Sequence, residues 1–426
     1  MVRKHPQHLL NQTNHKMWQS HKVLRLCDLC VTMGEKMKKI AILGLAAASL
    51  LALAACGSAP GTSKNDSEKG NAIGKTFKIG LNMELSGAYA APGNAEKNAI
   101  QLAADEINAD GGINDKKIQL VVKDNKTDNG EVATVASNLT NNDKVAVIIG
   151  PMSSGGTLAA TPNVTKAQVP LITPTGTNDS LTVKNKKVQP YIFRTIFPDA
   201  FQGKVIANYT EETLKAKKVL VYYDNSSDYA RGILGTFKDN YKGDIVDTLS
   251  FQGGDKDFQA ALTKVKNKSF DAIVLIGYYA EGGLITKQAR EMGLNQPIVG
   301  GDGISDPTYT ALAGSAATNV YYVAGFSTKA PFNDKTTAFI KAYKAAYNEE
   351  PSAFAACAYD AVYMIKQAAE EGKVKNSAEL AEALAKVKGL VGVTGTIDID
   401  KNHNPVKSAV MVKLEDGKEA SAEIVK

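Results

Sequence analysis

Histidine, cysteine and tryptophan are scarce in this chain, and their scarcity limits the chemistry that it can perform. The 426 residues include five histidines, four cysteines and one tryptophan, and His403 is the one histidine beyond residue 36. A Ser-His-Asp triad or an HExxH zinc site would have to use that residue. Because it lies in the turn sequence KNHNP, we expect a solvated turn residue there. With no GxSxG motif either, the sequence predicts a protein that is not an enzyme and needs no metal or cofactor.

Two short motifs resemble functional sites but lack the surroundings that such sites need. Residues 70–76 read GNAIGKT, close to a phosphate-binding loop, yet three residues separate the glycines where four are required. The segment also precedes the first predicted strand, whereas a phosphate loop follows a strand and opens a helix. Cys27 and Cys30 form a single CxxC with no second pair. We assign neither motif a function.

The net charge of +6 belongs to the N-terminal part of the chain. Residues 1–55 contain eight lysines and arginines against two acidic residues, and the remainder contains 42 of each. The larger part is therefore neutral, and no basic surface for nucleic acid is predicted.

Residues 1–36 resemble neither a domain nor a targeting signal. Residues 33–36, MGEK, can be encoded by a purine-rich stretch similar to a ribosome-binding site, directly before Met37. We therefore interpret residues 1–36 as a mis-assigned upstream extension and expect translation to start at Met37.

A lipoprotein signal peptide is predicted over residues 37–55. Two lysines precede the apolar run 40–53, which has the length of a signal-peptide core and is too short to span a membrane. The run ends in LAACG, which resembles a bacterial lipobox, so we predict lipidation of Cys56. The remaining cysteine after cleavage, Cys357, is then expected to be a buried core residue. An exported protein without a disulfide is compatible with a Gram-positive source.

The rest of the sequence predicts an α/β protein. Residues 56–76, rich in Gly, Ser and charge, are expected to form a flexible tether. Short apolar runs then alternate with helical patterns such as 94–108, as in parallel sheets covered by helices on both faces. The predicted strands are 77–83, 117–123, 145–149, 170–173, 218–223, 272–276, 297–300 and 320–323.

Polar loops follow two of these strands, where ligands of parallel sheets bind. The strand 145–149 runs into GPMSSGGT and then a helical pattern, and the strand 170–173 is followed by PTGTN. Hydroxyl groups and free N–H groups at a helix N-terminus suit an anion such as a carboxylate.

Together, these segments resemble the substrate-binding proteins of branched-chain amino-acid ABC transporters, which have the periplasmic-binding-protein type I fold. The resemblance runs from residue 77 to the C-terminus. The segments that carry it are LSG at 85–87, EINADGGI at 106–113, GPMSS at 150–154, PLITP at 170–174, FRT at 193–195 and YY at 278–279.

The resemblance implies two lobes, each a mainly parallel sheet flanked by helices, joined by three crossovers near Pro198, Gly325 and Thr394. Lobe 1 would comprise residues 77–197 and 326–393, and lobe 2 residues 198–325 and 394–426. It also implies a hinge that closes the lobes over a small solute, and an ABC permease as the partner of a monomeric protein.

The resemblance also implies a binding site. The ligand carboxylate would meet Ser154 and the segment from Thr175 to Thr177, and the α-ammonium would meet Asp302. The ligand's wall would include Tyr229 and Tyr278 or Tyr279. Relatives often have glutamate at the acid position, and an aromatic where this chain has Pro92, for which Tyr89 is a possible substitute.

The implied ligand is leucine, isoleucine or valine. Two alternative ligands are another amino acid and a small amide such as urea. An alternative role is that of a sensory protein that passes ligand occupancy to a receptor.

Overall fold

Two β-sheets with helices on both faces form the core of the computed structural model, which describes residues 70–425. The predicted upstream extension, the signal peptide and the lipidation site Cys56 lie outside the described residues. Within them, no helix combines the length and the hydrophobicity needed to cross a bilayer.

The strands within residues 70–425 are numbered in chain order. They are β1 Phe77–Met83, β2 Ile118–Asp124, β3 Val147–Ile149, β4 Leu171–Thr173, β5 Val183–Lys184, β6 Lys187–Val188, β7 Ile192–Arg194, β8 Lys218–Asp224, β9 Asp244–Phe251, β10 Ala272–Ile276, β11 Ile298–Gly300, β12 Val320–Ala324, β13 Leu390–Gly392, β14 Gly395–Ile399, β15 Pro405–Val406, β16 Ala409–Glu415 and β17 Lys418–Val425.

The α-helices are numbered in the same way. They are α1 Ala90–Ala109, α2 Asn129–Asn141, α3 Ser154–Ala167, α4 Asp199–Asn208, α5 Asp228–Asn240, α6 Gln259–Val265, α7 Tyr279–Glu291, α8 Pro307–Ala313, α9 Asp334–Tyr347, α10 Ala353–Gly372 and α11 Ser377–Leu384. Short 3₁₀ turns cover Asp179–Leu181, Asp302–Ile304 and Gly314–Ala316, and a π-helical turn, Tyr209–Thr213, extends α4.

The first sheet has the strand order β2-β1-β3-β4-β7, and all its strands are parallel. Its strands β1, β3, β4 and β7 are almost completely buried, because α1 and α2 pack against β1 and β2 and α3 packs against β4. Helix α10 packs in turn on α1. Continuous apolar strands are expected where helices cover both faces of a sheet.

The second sheet has the order β17-β16-β12-β11-β10-β8-β9. Strands β8 to β12 are mutually parallel, and the hairpin of β16 and β17 adds two antiparallel strands at one edge. Helix α5 packs on β8 and β10, α4 packs on β12 and on α5, and α7 packs on α8. The predicted two-sheet α/β architecture with mainly parallel sheets is confirmed.

Helix α10 contacts two of the segments that connect the sheets, near Thr195 and Gly325, and also the turn at residues 393–394. The Cys357 carbonyl accepts a hydrogen bond from the Thr195 hydroxyl at 2.9 Å. A Cβ placed at Gly325 would lie 2.9 Å from the Cys357 sulfur. The Asp360 carboxylate accepts bonds from the N–H groups of Val393 at 2.7 Å and Thr394 at 2.9 Å. Cys357 is completely buried, as predicted.

The third connection differs from the expectation that residues after 393 belong to the second lobe. The Ile399 N–H donates to the Val387 carbonyl at 3.0 Å, and the Thr182 hydroxyl donates to the Asn404 side chain at 3.0 Å. Residues 395–404 therefore contact loops of the first lobe, whereas β16 pairs with β12 of the second sheet. We propose that this crossover lies at residues 405–408 rather than near Thr394.

His403 is not the solvated turn residue that we expected. It does lie in a turn, but its side chain is only 8% exposed. The imidazole stacks on Phe193 with 4.2 Å between ring centroids, and its Nδ1 lies 3.1 Å from the Ile192 carbonyl oxygen. Burial lowers the pKa of His403, so the neutral ring is favoured. The flat, half-apolar ring covers the edge of the first sheet, which a turn motif alone does not reveal.

The predicted tether also ends earlier than residue 76. The Asn71 N–H donates to the Ser377 hydroxyl at 2.7 Å, and its side chain donates to the Thr140 and Val145 carbonyls at 2.9 and 3.0 Å. Ala72 forms a β-bridge with Asn376. Residues 71–73 are thus attached to the first lobe by hydrogen bonds, among them two from the Asn71 side chain to backbone carbonyls.

Candidate ligand-binding cleft

The carboxyl ends of the parallel strands in the two sheets face each other across a closed cleft. The loops after β1, β3 and β4 come from the first lobe, and the loops after β8, β10 and β11 come from the second. Across the cleft, the Tyr279 hydroxyl donates to the Ala88 carbonyl at 2.8 Å, and the Asn178 side chain donates to the Asp228 carbonyl at 2.8 Å. These contacts bring the two sets of loops around one site.

Two hydroxyl groups on the first lobe can donate to an anion. Ser154 is the first residue of α3, which Ser153 caps, and it is 1% exposed. Its Oγ accepts a hydrogen bond from the Asn178 N–H at 3.2 Å, so its own proton remains for another acceptor. The buried hydroxyl of Thr177 makes no hydrogen bond of normal geometry within the protein, and the Asp199 carboxyl lies near it. With the dipole of α3, these donors suit a carboxylate.

The hydroxyl of Thr175, the other predicted contact, is turned into the first lobe. It lies 2.8 Å from Oε1 of Glu96 and 3.2 Å from the Met152 carbonyl oxygen. Its proton is therefore engaged within the protein, and this side chain joins the loop after β3 to the loop after β4.

A buried arginine supports the loop after β4. Arg194 donates through Nη1 to the Gly176 carbonyl at 3.1 Å, and through Nη2 to the Asn178 carbonyl at 2.8 Å and the Thr182 hydroxyl at 3.2 Å. Burial lowers the pKa of Arg194 to about 10, so the guanidinium stays charged at neutral pH. This places a fixed positive charge behind the carboxylate donors.

On the second lobe, Asp302 begins the 3₁₀ turn after β11 and is 4% exposed. Its backbone N–H donates to Oε1 of Gln202 at 2.5 Å, whereas its Oδ1 has no partner. Burial raises the pKa of Asp302 to about 6. A Cβ at Gly301 would lie 2.6 Å from both Gln202 Oε1 and the Tyr229 hydroxyl, so a larger residue there would displace these two side chains.

Sequence reasoning missed two polar residues of the cleft, Asp199 and Gln202 on α4. Asp199 is fully buried, neither of its carboxylate oxygens has a hydrogen-bond partner, and its N–H donates to the Thr177 carbonyl at 2.8 Å. Burial raises its pKa well above the ordinary value. Gln202 Nε2 is also without a partner. Their signal in the sequence is a D-x-x-Q pair directly after the predicted crossover at Pro198.

Three tyrosines form an aromatic wall. The rings of Tyr229 and Tyr278 stack at 5.1 Å and 29°, and Tyr89 of the first lobe contacts Tyr278 at 4.6 Å. The Tyr229 hydroxyl accepts from the Gly303 N–H at 2.8 Å. Burial raises the pKa of Tyr229 and of Tyr278, so both phenols are neutral. Tyr279, predicted as a possible wall residue, uses its hydroxyl in the contact with Ala88 instead.

Unpartnered polar atoms concentrate around this cleft. Within residues 70–425, ten buried side-chain nitrogen and oxygen atoms lack a hydrogen-bond partner. Seven of them belong to the cleft and the groups that support it, namely Glu96, Thr177, Arg194, Asp199, Gln202 and Asp302. Since buried polar groups are normally satisfied, a polar solute that offers both donors and acceptors fits here. The fold and the site define a two-lobed solute-binding protein.

The chain belongs to the periplasmic binding protein family, whose model matches residues 76–419. It is 33% identical over 311 residues to the Leu/Ile/Val-binding protein BraC3 of Rhizobium johnstonii, covering 72% of this chain and 82% of that protein. A leucine-, isoleucine-, valine-, threonine- and alanine-binding protein of Pseudomonas aeruginosa is 31% identical over 313 residues, with the same coverage. Members of this family bind solutes, which confirms the prediction that the chain is not an enzyme.

Solved structures show the same fold. The branched-chain amino acid transporter substrate-binding protein LivJ of Streptococcus pneumoniae, in complex with isoleucine, is 52% identical with a TM-score of 0.79, covering 82% of this chain and 99% of that one. The leucine-binding protein LivK of Thermotoga maritima is 30% identical with a TM-score of 0.78 and the same coverage. The predicted family and type I fold are confirmed.

Proposed function

We propose that this protein is the extracytoplasmic solute-binding component of an ABC importer and that its solute is a branched-chain amino acid. The proposal rests on one observation: hydrogen-bond donors on one side of the cleft face acidic groups on the other side. Hydroxyl donors at a helix N-terminus lie on the first lobe, and buried acids with unpartnered oxygens lie on the second. An α-amino acid carries the complementary carboxylate and ammonium groups. The isoleucine complex of the 52% identical streptococcal protein supports this ligand class.

The ligand carboxylate would accept hydrogen bonds from Ser154 and Thr177, with the Arg194 charge behind them. The ammonium would donate to Asp302, with Asp199 as a second buried acid nearby. A nearby positive charge favours the ionised form of a carboxyl group, so the bound ammonium would bring the pKa of Asp302 below about 6. An aliphatic side chain would lie against the tyrosine wall, where apolar burial and not hydrogen bonding provides affinity.

The partner is an ABC permease, to which the closed, loaded protein would deliver its solute. Because the two lobes meet through loops and are joined by three short segments, opening requires a change at those segments rather than within either sheet. We infer that closure hides the ligand from water and that the permease recognises the closed form.

A thermal-shift screen tests the ligand class. A form that begins at residue 57 would be heated with each of twenty amino acids and with urea. Binding raises stability by RT ln(1 + [L]/Kd), so leucine, isoleucine and valine should give the largest increases in Tm. Urea lacks an ammonium for Asp302 and should give none. An increase with urea alone, or with acidic or basic amino acids above all, would contradict the proposal.

We also propose that Cys56 carries a lipid that anchors the protein to the cell membrane. Cys56→Ala should therefore move the protein from the membrane fraction to the soluble fraction or the medium, as measured by immunoblotting after fractionation. The control is Cys357→Ala, because Cys357 is buried in α10 and cannot receive a lipid in the folded protein. Unchanged membrane association of the Cys56 variant would contradict lipidation at this site.

A further inference from the structure

Two buried carboxyl groups lie directly behind the loops that would bind the ligand carboxylate. Glu84 follows β1 and accepts hydrogen bonds from the Met152 N–H at 3.2 Å and the Ser153 hydroxyl at 3.4 Å. Glu96 lies on α1 and contacts the Thr175 hydroxyl at 2.8 Å. Both carboxyl groups are at most 1% exposed. They connect the loop after β3 and the loop after β4 to the body of the first lobe.

The hydrogen-bond geometry at Thr175 favours a second proton, on Glu96. Its hydroxyl has one proton, yet it lies within reach of two acceptors, Oε1 of Glu96 and the Met152 carbonyl. An ionised Glu96 would leave one of these acceptors unsatisfied, and its Oε2 would be a buried anionic oxygen without any partner. A protonated Glu96 donates to the Thr175 oxygen, and Thr175 then donates to Met152. The uncharged acid therefore satisfies Thr175 and Met152 and leaves Oε2 as a neutral carbonyl oxygen rather than an anionic one.

The charges around Glu96 favour the same state. The Glu84 carboxyl faces it from the loop after β1, and the Cys357 thiol faces it from α10. From α9, the Tyr343 hydroxyl contacts the carbonyl of the adjacent residue, Ala95, at 3.4 Å. Among the ion pairs of residues 70–425, none involves Glu84 or Glu96. Burial first, and then the charge of Glu84, raise the pKa of Glu96 well above its ordinary value.

We propose that Glu96 is a positioning residue that holds the two carboxylate-binding loops together in its protonated form, and that its ionisation weakens ligand binding. The inference rests on the proposed function, because it concerns the same site. Ionised Glu96 would no longer donate to Thr175, so the link between the loops would lose a hydrogen bond. It would also add a negative charge behind the groups that bind the ligand carboxylate. Affinity should therefore fall at alkaline pH.

Calorimetric titration with isoleucine from pH 6 to pH 9.5 tests this coupling. Glu96→Gln is uncharged at every pH and keeps a donor for Thr175, so it should bind within about twofold of wild type at pH 7. As pH rises, wild type should lose about tenfold more affinity than the variant. Deprotonation of the isoleucine ammonium weakens binding to both proteins equally, so the ratio of their affinities at each pH does not depend on it.

A second experiment determines the protonation state of Glu96 in the ligand-free protein. The unfolded chain releases this proton near pH 4.5, whereas the folded chain keeps it to a higher pH, so wild-type stability should fall as pH rises between these values. Glu96→Gln lacks this loss. The Tm of the variant minus that of wild type should therefore increase with pH above about pH 5. Glu84→Gln, which removes the neighbouring charge, should shift the alkaline loss of affinity to lower pH.

Opposite results would overturn the proposal. If Glu96 is ionised at neutral pH, Glu96→Gln should bind isoleucine about tenfold more tightly than wild type, and the Tm difference should not change between pH 6 and pH 9. Parallel affinity profiles in wild type and both variants would overturn it equally. Failure of wild type to bind isoleucine at any pH would instead contradict the proposed function, and the ligand-free melting series would still decide the protonation state of Glu96.

Discussion

Asp302→Ala is expected to weaken isoleucine binding by about 2 to 5 kcal/mol, or roughly 30-fold to several-thousand-fold in Kd, as measured by calorimetry. The variant would leave the ligand's ammonium without its principal counter-charge in a closed, buried cleft. Folding should scarcely change, because the hydrogen bond that Asp302 makes with Gln202 uses its backbone N–H. Ser154→Ala removes one hydrogen bond to a charged carboxylate, worth about 1.5 to 3 kcal/mol, and should weaken binding less.

Asp306→Ala provides a matched control for Asp302. Asp306 lies four residues further along the chain, is also buried, and caps α8 by accepting a hydrogen bond from the Thr308 N–H at 2.8 Å. Its loss should lower stability by about 1 kcal/mol, as is typical of helix caps, and leave the affinity for isoleucine unchanged. Near-wild-type affinity in a folded Asp302→Ala protein would mean that Asp302 serves the turn after β11 and not the ligand.

Arg194→Met is expected to lower the free energy of unfolding by roughly 3 to 5 kcal/mol, as measured by urea denaturation. The change leaves the Gly176 and Asn178 carbonyls and the Thr182 hydroxyl without their buried donor. It also removes the positive charge that most favours ionisation of the arginine's acidic neighbour, Asp199. Because three buried acceptors are then left without a donor, the penalty should include the cost of leaving them unsatisfied as well as the lost hydrogen bonds.

Two further variants separate these effects. Arg290→Met also removes two arginine hydrogen bonds to carbonyls, those of Leu294 and Thr318, but far from the cleft, so it should cost stability without changing affinity. Because burial already raises the pKa of Asp199 well above its ordinary value, the acid is neutral without Arg194, so adding Asp199→Asn to Arg194→Met should change the stability little further. Wild-type stability of the Arg194 variant, or an Asp199 change that adds to its penalty, would contradict this account.

The strands that form the centre of each sheet were predictable from the sequence. Strands β1 and β10 have the predicted bounds, since their uninterrupted apolar runs match strands that helices cover on both faces. The edge strand β9 was missed because its residues are largely exposed or half-buried and give no continuous apolar run. The hairpin of β16 and β17 was missed for a related reason: its outer strand is mostly polar, and its pairing with β12 depends on tertiary contacts.

The buried acids of the cleft show which site residues can be predicted from the sequence and which cannot. Asp302 was predicted because a strand end and the family resemblance both point to it. Glu96 and Asp199 lie at helix positions where an acid is usually solvated, and no local pattern distinguishes a buried acid from an exposed one. Only the contact of Glu96 with the loop after β4, and the packing of α4 against α5, show that both are buried.

The cross-cleft contacts affect how long a solute stays bound, separately from which solute is chosen. The bonds from Tyr279 to Ala88 and from Asn178 to Asp228 join protein to protein, and neither partner is a ligand atom. Their free energy favours the closed conformation whatever amino acid lies inside, so they raise the affinity for every solute by the same factor. Since dissociation requires these bonds to break first, they act mainly on the off-rate. Different residues thus determine selectivity and residence time. Substitutions at the cross-cleft contacts would change the rate of release to a permease without changing which solute is bound.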